Sequence, residues 1–253
     1  MRIFILILTV YSSILYSQEF TPSFDFKKFV DDGGVSKEIY TLKNDKLEVS
    51  EKYLYFEDQK KIILTTNTVQ SDGRTIKEVA YTLDSKNRIS KEEIKSFDTN
   101  GLNDSITSEI LTHNYYDFGK TITFNDKFGK IFIKKYFFYK DEKTLVESLT
   151  ISSYDLIIQE RSLYYKDAIY DVSESQTFTS PRYKTITKTK LDKNGFPENV
   201  IVEGEMVTMG KEKIPKQIFN YKNELDSKGN LCRVYEIKDS NKKLVKKINT
   251  VYK

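Results

Sequence analysis

Tryptophan is absent from this chain of 253 residues, histidine and cysteine occur once each, and proline and glycine number only 4 and 10. Each scarcity excludes something. A single cysteine, Cys232, leaves no internal disulfide. One cysteine and one histidine, His113, are too few for a zinc site of the Cys/His type. His113 is also the sole histidine a Ser-His-Asp set has to draw on, and neither a Gly-x-Ser-x-Gly turn nor a phosphate-cradling glycine loop accompanies it. Without tryptophan, a sugar-stacking platform loses its best ring. Low glycine and proline rule out a low-complexity disordered chain. Basic residues number 41 and acidic ones 37, interleaved rather than gathered, so no nucleic-acid partner is expected. No cofactor or metal is expected either.

What is present begins with Met1 to Ser17. Arg2 gives a positive start, Ile3 to Leu15 an apolar core, and Ser17 a small residue before a cut. This pattern reads as a secretory signal peptide, and no later apolar stretch is long enough to cross a bilayer as a helix. The expected protein is exported: periplasmic, outer-membrane-associated or extracellular. Residues 18–253 read as one domain, with a weak sub-boundary near 173–181.

The body is organised by turns. Asp98 with Gly101, Asp126 with Gly129, Asp192 with Gly195 and Asp226 with Gly229 share the spacing Asp-x-x-Gly, and Asp84 to Asn87 is a degenerate copy. Aspartate at the first position of a turn accepts nearby backbone N–H bonds, and glycine three residues on supplies positive φ. Between these turns lie runs rich in Tyr, Phe, Ile, Val and Thr, which suit a pleated surface. The spacing predicts fourteen to sixteen short strands in an all-β antiparallel meander of hairpins, forming a large curled sheet, barrel-like or two-layered. The apolar run 130–139 is expected to be a central strand covered on both faces, and 88–97 a strand wet on both faces or at an edge. Residues 18–34 are expected to form an irregular aromatic arm.

The unit from Tyr221 to Leu231, with Leu191 to Phe196 and Tyr81 to Asn87, resembles the tyrosine–aspartate repeats of the RHS/YD class. Those repeats carry aromatic-Asp-x-x-Gly followed by a strand and build spiralling sheets in secreted bacterial proteins. The resemblance implies an exported β-repeat protein and assigns no catalytic residue. The expected function is a non-enzymatic binding or structural module of the bacterial envelope, with an envelope protein, glycan or lipid as partner. Alternatives are a carrier of a lipid or other apolar ligand in a curled sheet, and a glycoside hydrolase using two carboxylates. Candidate partner-binding aromatics are Tyr115, Tyr116, Tyr136, Tyr139, Tyr164 and Tyr165. Neighbouring residues on a strand point to opposite faces, so at most half of each cluster shares a surface.

Overall fold

Three aspartate turns are near-copies of one hairpin. Asp226 Oδ1 accepts the N–H groups of Lys228 and Asn230, each at 2.9 Å, and Gly229, at φ 75°, donates to the Asp226 carbonyl at 3.0 Å. Asp192 takes Asn194 and Phe196 at 2.8 and 3.0 Å, with Gly195 at φ 83°. Asp84 takes Lys86 and Arg88 at 2.8 and 2.9 Å, with Asn87 at φ 57° in the glycine place. Glycine bears positive φ freely, and asparagine bears it better than most residues.

The computed structural model describes residues 26–253 except 44, 71–72, 99–105, 118, 126–128, 142–143, 154–155, 180–181 and 207–211, with backbone alone at 67–70, 73–76, 96–98, 106–108 and 212. Gly101, Asp126 and residues 1–17 therefore lie outside the described residues, as does the side chain of Asp98; Gly129 has φ 79°.

After a short helix α1 (Phe26–Asp31) come β1 (Gly34–Lys43), β2 (Lys46–Phe56), β3 (Lys61–Gln70), β4 (Gly73–Leu83), β5 (Ile89–Asp98), β6 (Ile106–Tyr116), β7 (Gly119–Asn125) and β8 (Ile131–Tyr139). The second half is β9 (Leu145–Ser152), β10 (Ile158–Asp167), β11 (Tyr170–Thr177), β12 (Tyr183–Leu191), β13 (Pro197–Met206), β14 (Glu212–Leu225), β15 (Leu231–Lys238) and β16 (Asn241–Tyr252). Each strand pairs antiparallel with the next, and β16 returns to β1, with Ile248 opposite Ile39, to close a 16-stranded barrel. Strands spaced ~4.8 Å apart and tilted ~40° give sixteen of them a girth of about 100 Å, a section about 30 Å across if round.

Closure corrects two expectations. Residues 89–98 are no edge: β5 is bonded to β4 on one side and β6 on the other. Nor is 131–139 covered on both faces. Of β8 only Phe137 is buried, while Ile131 and Phe138 stay exposed, because a single-walled barrel has no layer outside it. A third correction concerns the N-terminal arm, where residues 26–31 are helical. The stretch 173–181 comprises most of β11 and its connection to β12, and these two strands pair with each other.

In a meander, alternate turns share an end. The Asp84, Asp192 and Asp226 turns lie at one mouth with α1 and the C-terminus, where Lys253 N donates to Gly33 O at 2.9 Å. Asn87 reaches Asp31 at 3.1 Å and Asn230 reaches Asp32 at 3.1 Å, so α1 is tied to two turns on opposite sides of β1. Its Phe29 packs with Ile39, Tyr53, Ile62, Leu64, Val79, Leu83 and Ile248, the main apolar cluster. A second cluster, Leu111, Ile122, Phe137, Leu145 and Tyr164, lies on β6 to β10.

The turn carboxylates give an acid-stability prediction. Burial alone would raise Asp84 and Asp226. The N–H groups each accepts, with the Arg88 side chain at 2.8 Å from Asp84 and the Tyr252 hydroxyl at 2.8 Å from Asp226, outweigh it and hold both below the ordinary range. Such a group stabilises fully above the unfolded-state value of ~3.9, and the contribution is lost as pH falls through the folded value. The double variant Asp84→Asn, Asp226→Asn is expected to lose about 1 kcal/mol less than the parent between pH 5 and pH 2.5, since these sites are half-open to solvent. Urea titrations across that range check it, and parallel profiles contradict it.

Candidate functional site

Most of the buried residues mark one face, although Ala80 and Val172, also buried, lie on the other. Ile39, Tyr53, Ile62, Leu64, Val79, Leu111, Ile122, Phe137, Tyr164, Val200, Val202 and Ile248 are all buried, and the strand registers put them on one side of the wall, the inside. At mid-strand the outside carries charged side chains among exposed apolar ones such as Leu54, Leu163 and Ile218. Glu38 pairs with Lys52 at 3.4 Å and Glu147 with Arg161 at 2.7 Å, while at the α1 mouth Glu224 pairs with Arg233 and Lys242 at 3.3 and 3.1 Å. Glu78 faces Lys95 at mid-strand, and near the mouth away from α1 Glu205 stands between Lys184 and Lys213. Strands of 7 to 14 residues are for the most part long enough to cross a bilayer. Charge weighs against a lipid-facing wall, since a lysine or arginine on the lipid face at mid-plane costs ~2–4 kcal/mol.

The inside is divided. From β1 to β8 it carries most of the two apolar clusters. Across β9 to β12 it is a field of small hydroxyls. One cross-strand row runs Phe137, Ser148, Ser162, Ser175, Thr185, Gly204, and the next runs Tyr164, Ser173, Thr187, Val202, Gln217. Ser162 and Ser175 share a hydrogen bond at 2.8 Å, and Ser148 meets the Tyr164 hydroxyl at 3.2 Å. Ser148 and Ser162 are buried by these neighbours. Thr150, Ser173, Ser175, Thr185, Thr187 and Thr189 also point inward yet are only half-buried, so solvent reaches the interior. That fits the strand number, because sixteen strands enclose more width than their side chains fill.

Charged groups border the hydroxyls. The Lys120 and Lys135 ammonium groups lie 4.5 and 5.2 Å from the Phe137 ring centre, a cation–π arrangement. His113 is buried, its Nε2 2.7 Å from Glu92, and its Nδ1 finds no partner among the described residues. Asp171 pairs with Lys166. Lys246 faces inward, and burial pulls its ammonium well below the usual lysine range against the attraction of Glu51. Glu51 in turn accepts from the Tyr53 hydroxyl, which burial pushes up. Cys232 is a free, half-buried thiol, raised by burial.

No family model matches the chain, and no curated protein does. Among solved structures, a porin-like protein from Bacteroides uniformis ATCC 8492 superposes with a TM-score of 0.43 at 10% identity, over 87% of this chain and 98% of its own. A porin-like protein from Bacteroides vulgatus ATCC 8482 gives 0.39 at 13% identity, over 87% and 99%. A likeness this distant carries no argument about what the chain does.

The six candidate tyrosines do not converge. Tyr115 points inward, donating to Ile89 O at 2.8 Å beneath the Arg88 guanidinium. Tyr164 is buried on the inner face, and Tyr139 packs on the same cluster. Tyr116 stands 63% exposed on the outer wall, Tyr165 is outside against Glu174, and Tyr136 shares the outer row of Leu149 and Arg161. The hydroxyl field was not among the candidates, although its signal is plain: Ser148-x-Thr150-x-Ser152, Ser173-x-Ser175-x-Thr177 and Thr185-x-Thr187-x-Thr189 all repeat with period two.

Proposed function

We propose that the protein is an exported, non-enzymatic binding module whose water-filled barrel holds a hydrophilic, hydroxyl-rich ligand, such as an envelope glycan, against β9 to β12. The supporting observation is the half-buried Ser/Thr field on the inside of a wall whose outside is charged. Small hydroxyls offer both donors and acceptors without blocking the space. The rival apolar carrier needs a continuous greasy cavity. An acyl chain here would lie against Ser148, Thr150, Thr187 and the Lys166–Asp171 pair instead. The carboxylate-pair enzyme is also less well supported, since Glu92, Asp171 and Glu51 are engaged by His113, Lys166 and Tyr53.

Native mass spectrometry of the protein, purified without detergent from its own cells, tests this reading. A bound oligosaccharide-sized mass is expected. In Thr187→Leu, which removes one or two hydrogen bonds of ~1 kcal/mol each, affinity for that ligand falls about tenfold. A phospholipid in its place favours the carrier. A barrel that carries nothing and takes up nothing from a soluble envelope-glycan digest overturns the proposal.

A further inference from the structure

The hairpin between β9 and β10, at the mouth away from α1, presents apolar side chains where neither the turn nor the core calls for them. Leu156 is 78% exposed, Ile157 50% and Ile158 39%, and Ile131 at the start of neighbouring β8 is 37% exposed. Leu156 also sits at φ 58°, a left-handed conformation that suits glycine or asparagine and is strained for leucine. Strain and exposure together in one large aliphatic residue point to function at that position. The tip is held in place: Ser152 N donates to Ile157 O at 3.0 Å, and Ser153 N to Phe132 O at 3.0 Å.

Its surroundings suggest what covers it. Exposed Lys130 precedes Ile131, and exposed Arg182 donates to Phe178 O at 3.1 Å, while Phe178 N donates to Gln159 O at 2.9 Å, which brings the arginine beside the start of β10. By sequence the charge beside them is net positive by one, Lys127, Lys130 and Arg182 against Asp126 and Asp155. Aliphatic side chains with basic neighbours match the chemistry of an anionic bilayer, where the chains enter the acyl boundary and the cations meet headgroups. Four side chains on a tip fall well short of the ~800 Å² per partner of a stable protein interface. A bilayer needs no shape match.

We propose that this tip anchors the barrel to an anionic lipid surface, with the barrel wall remaining in water. The chain has no tryptophan, so a single one is a clean reporter. Leu156→Trp is expected to shift its emission to the blue and to be quenched by brominated lipid in vesicles of phosphatidylglycerol and phosphatidylethanolamine. Tyr116→Trp, on the outer wall near the opposite mouth, should respond to neither. In sedimentation with the same vesicles, Leu156→Ser with Ile157→Ser is expected to bind at least tenfold more weakly than the parent while keeping its circular dichroism. Arg182→Glu should weaken binding at low salt. The proposal is overturned if the Leu156→Trp reporter does not respond to vesicles, if both reporters respond alike, or if the serine variant binds like the parent. It is equally overturned if the tip instead mediates a dimer, seen by sedimentation velocity without lipid and lost in the serine variant.

Discussion

Phe29→Ala is expected to release α1 from the barrel mouth while leaving the sixteen strands paired. Phe29 is 6% exposed and is the helix's one buried side chain, the deepest of three apolar contacts that also include Val30 and Phe26, the latter against Tyr53 and Tyr81. Truncating a buried phenylalanine costs ~3–5 kcal/mol. A helix this short does not hold by itself, so the loss appears first as local opening. Hydrogen exchange should show the amides of 28–33 losing protection while β1 to β4 keep theirs. Gly34 offers an independent route to the same state. A Cβ there would overlap the Phe29 ring and lie 2.7 Å from the Phe29 carbonyl oxygen, so Gly34→Ala has to push α1 off its site. The two changes act on one contact, and their effects are therefore not additive. Once Phe29→Ala has undocked the helix, Gly34→Ala should cost at least ~1 kcal/mol less than in the parent. Additive costs would mean that α1 is held instead by Phe26 and by its polar ties to Asn87 and Asn230, with the Lys228 ammonium donating to Asp32 O at 2.8 Å.

The contrast between what was legible and what was not follows from range. Asp226 and Gly229 declare their hairpin within four residues, because the hydrogen bonds that make the turn are local, and with Asp84 and Asp192 they suffice for an antiparallel meander. Closure depends on Ile39 meeting Ile248 across nearly the whole chain, and no local pattern reports that. The same gap explains the misreading of β8. Ile131 to Tyr139 is apolar along its length, which suggests cover on both sides, but a closed wall has one inside and leaves Phe138 in water. For α1, six residues hold less than two helical turns, too few for a period to show. The site was written in the sequence as alternating hydroxyls, yet Thr185, Thr187 and Thr189 look like any solvated strand until the register sets them beside Ser173 and Ser175. Adjacency did foretell that Tyr115 and Tyr116, and Tyr164 and Tyr165, would split between the faces.

The assignment of inside and outside carries both the site and its setting, and one dipeptide tests it. Phe137 is 1% exposed and Phe138 is 41% exposed, although they are neighbours with the same side chain. Inward, Phe137 lies between Lys120 and Lys135 and opposite Ser148, at the junction of the apolar cluster and the hydroxyl field. Phe137→Ala is expected to destabilise by ~3–5 kcal/mol, because it leaves a cavity in the cluster and two inward ammonium groups without the ring face that faces them. Phe138→Ala removes a ring already half in water, opposite Gly119 and Glu147, and should cost less than ~1 kcal/mol. Urea unfolding midpoints for the two variants, read with the parent slope, give the comparison directly. Equal costs would mean that the outer face of β8 is also covered, as by a bilayer or a partner, and the charged wall would then have to be read differently. The reverse order would turn the barrel inside out, putting Ser162, Ser175 and Thr187 on its surface and removing the site altogether.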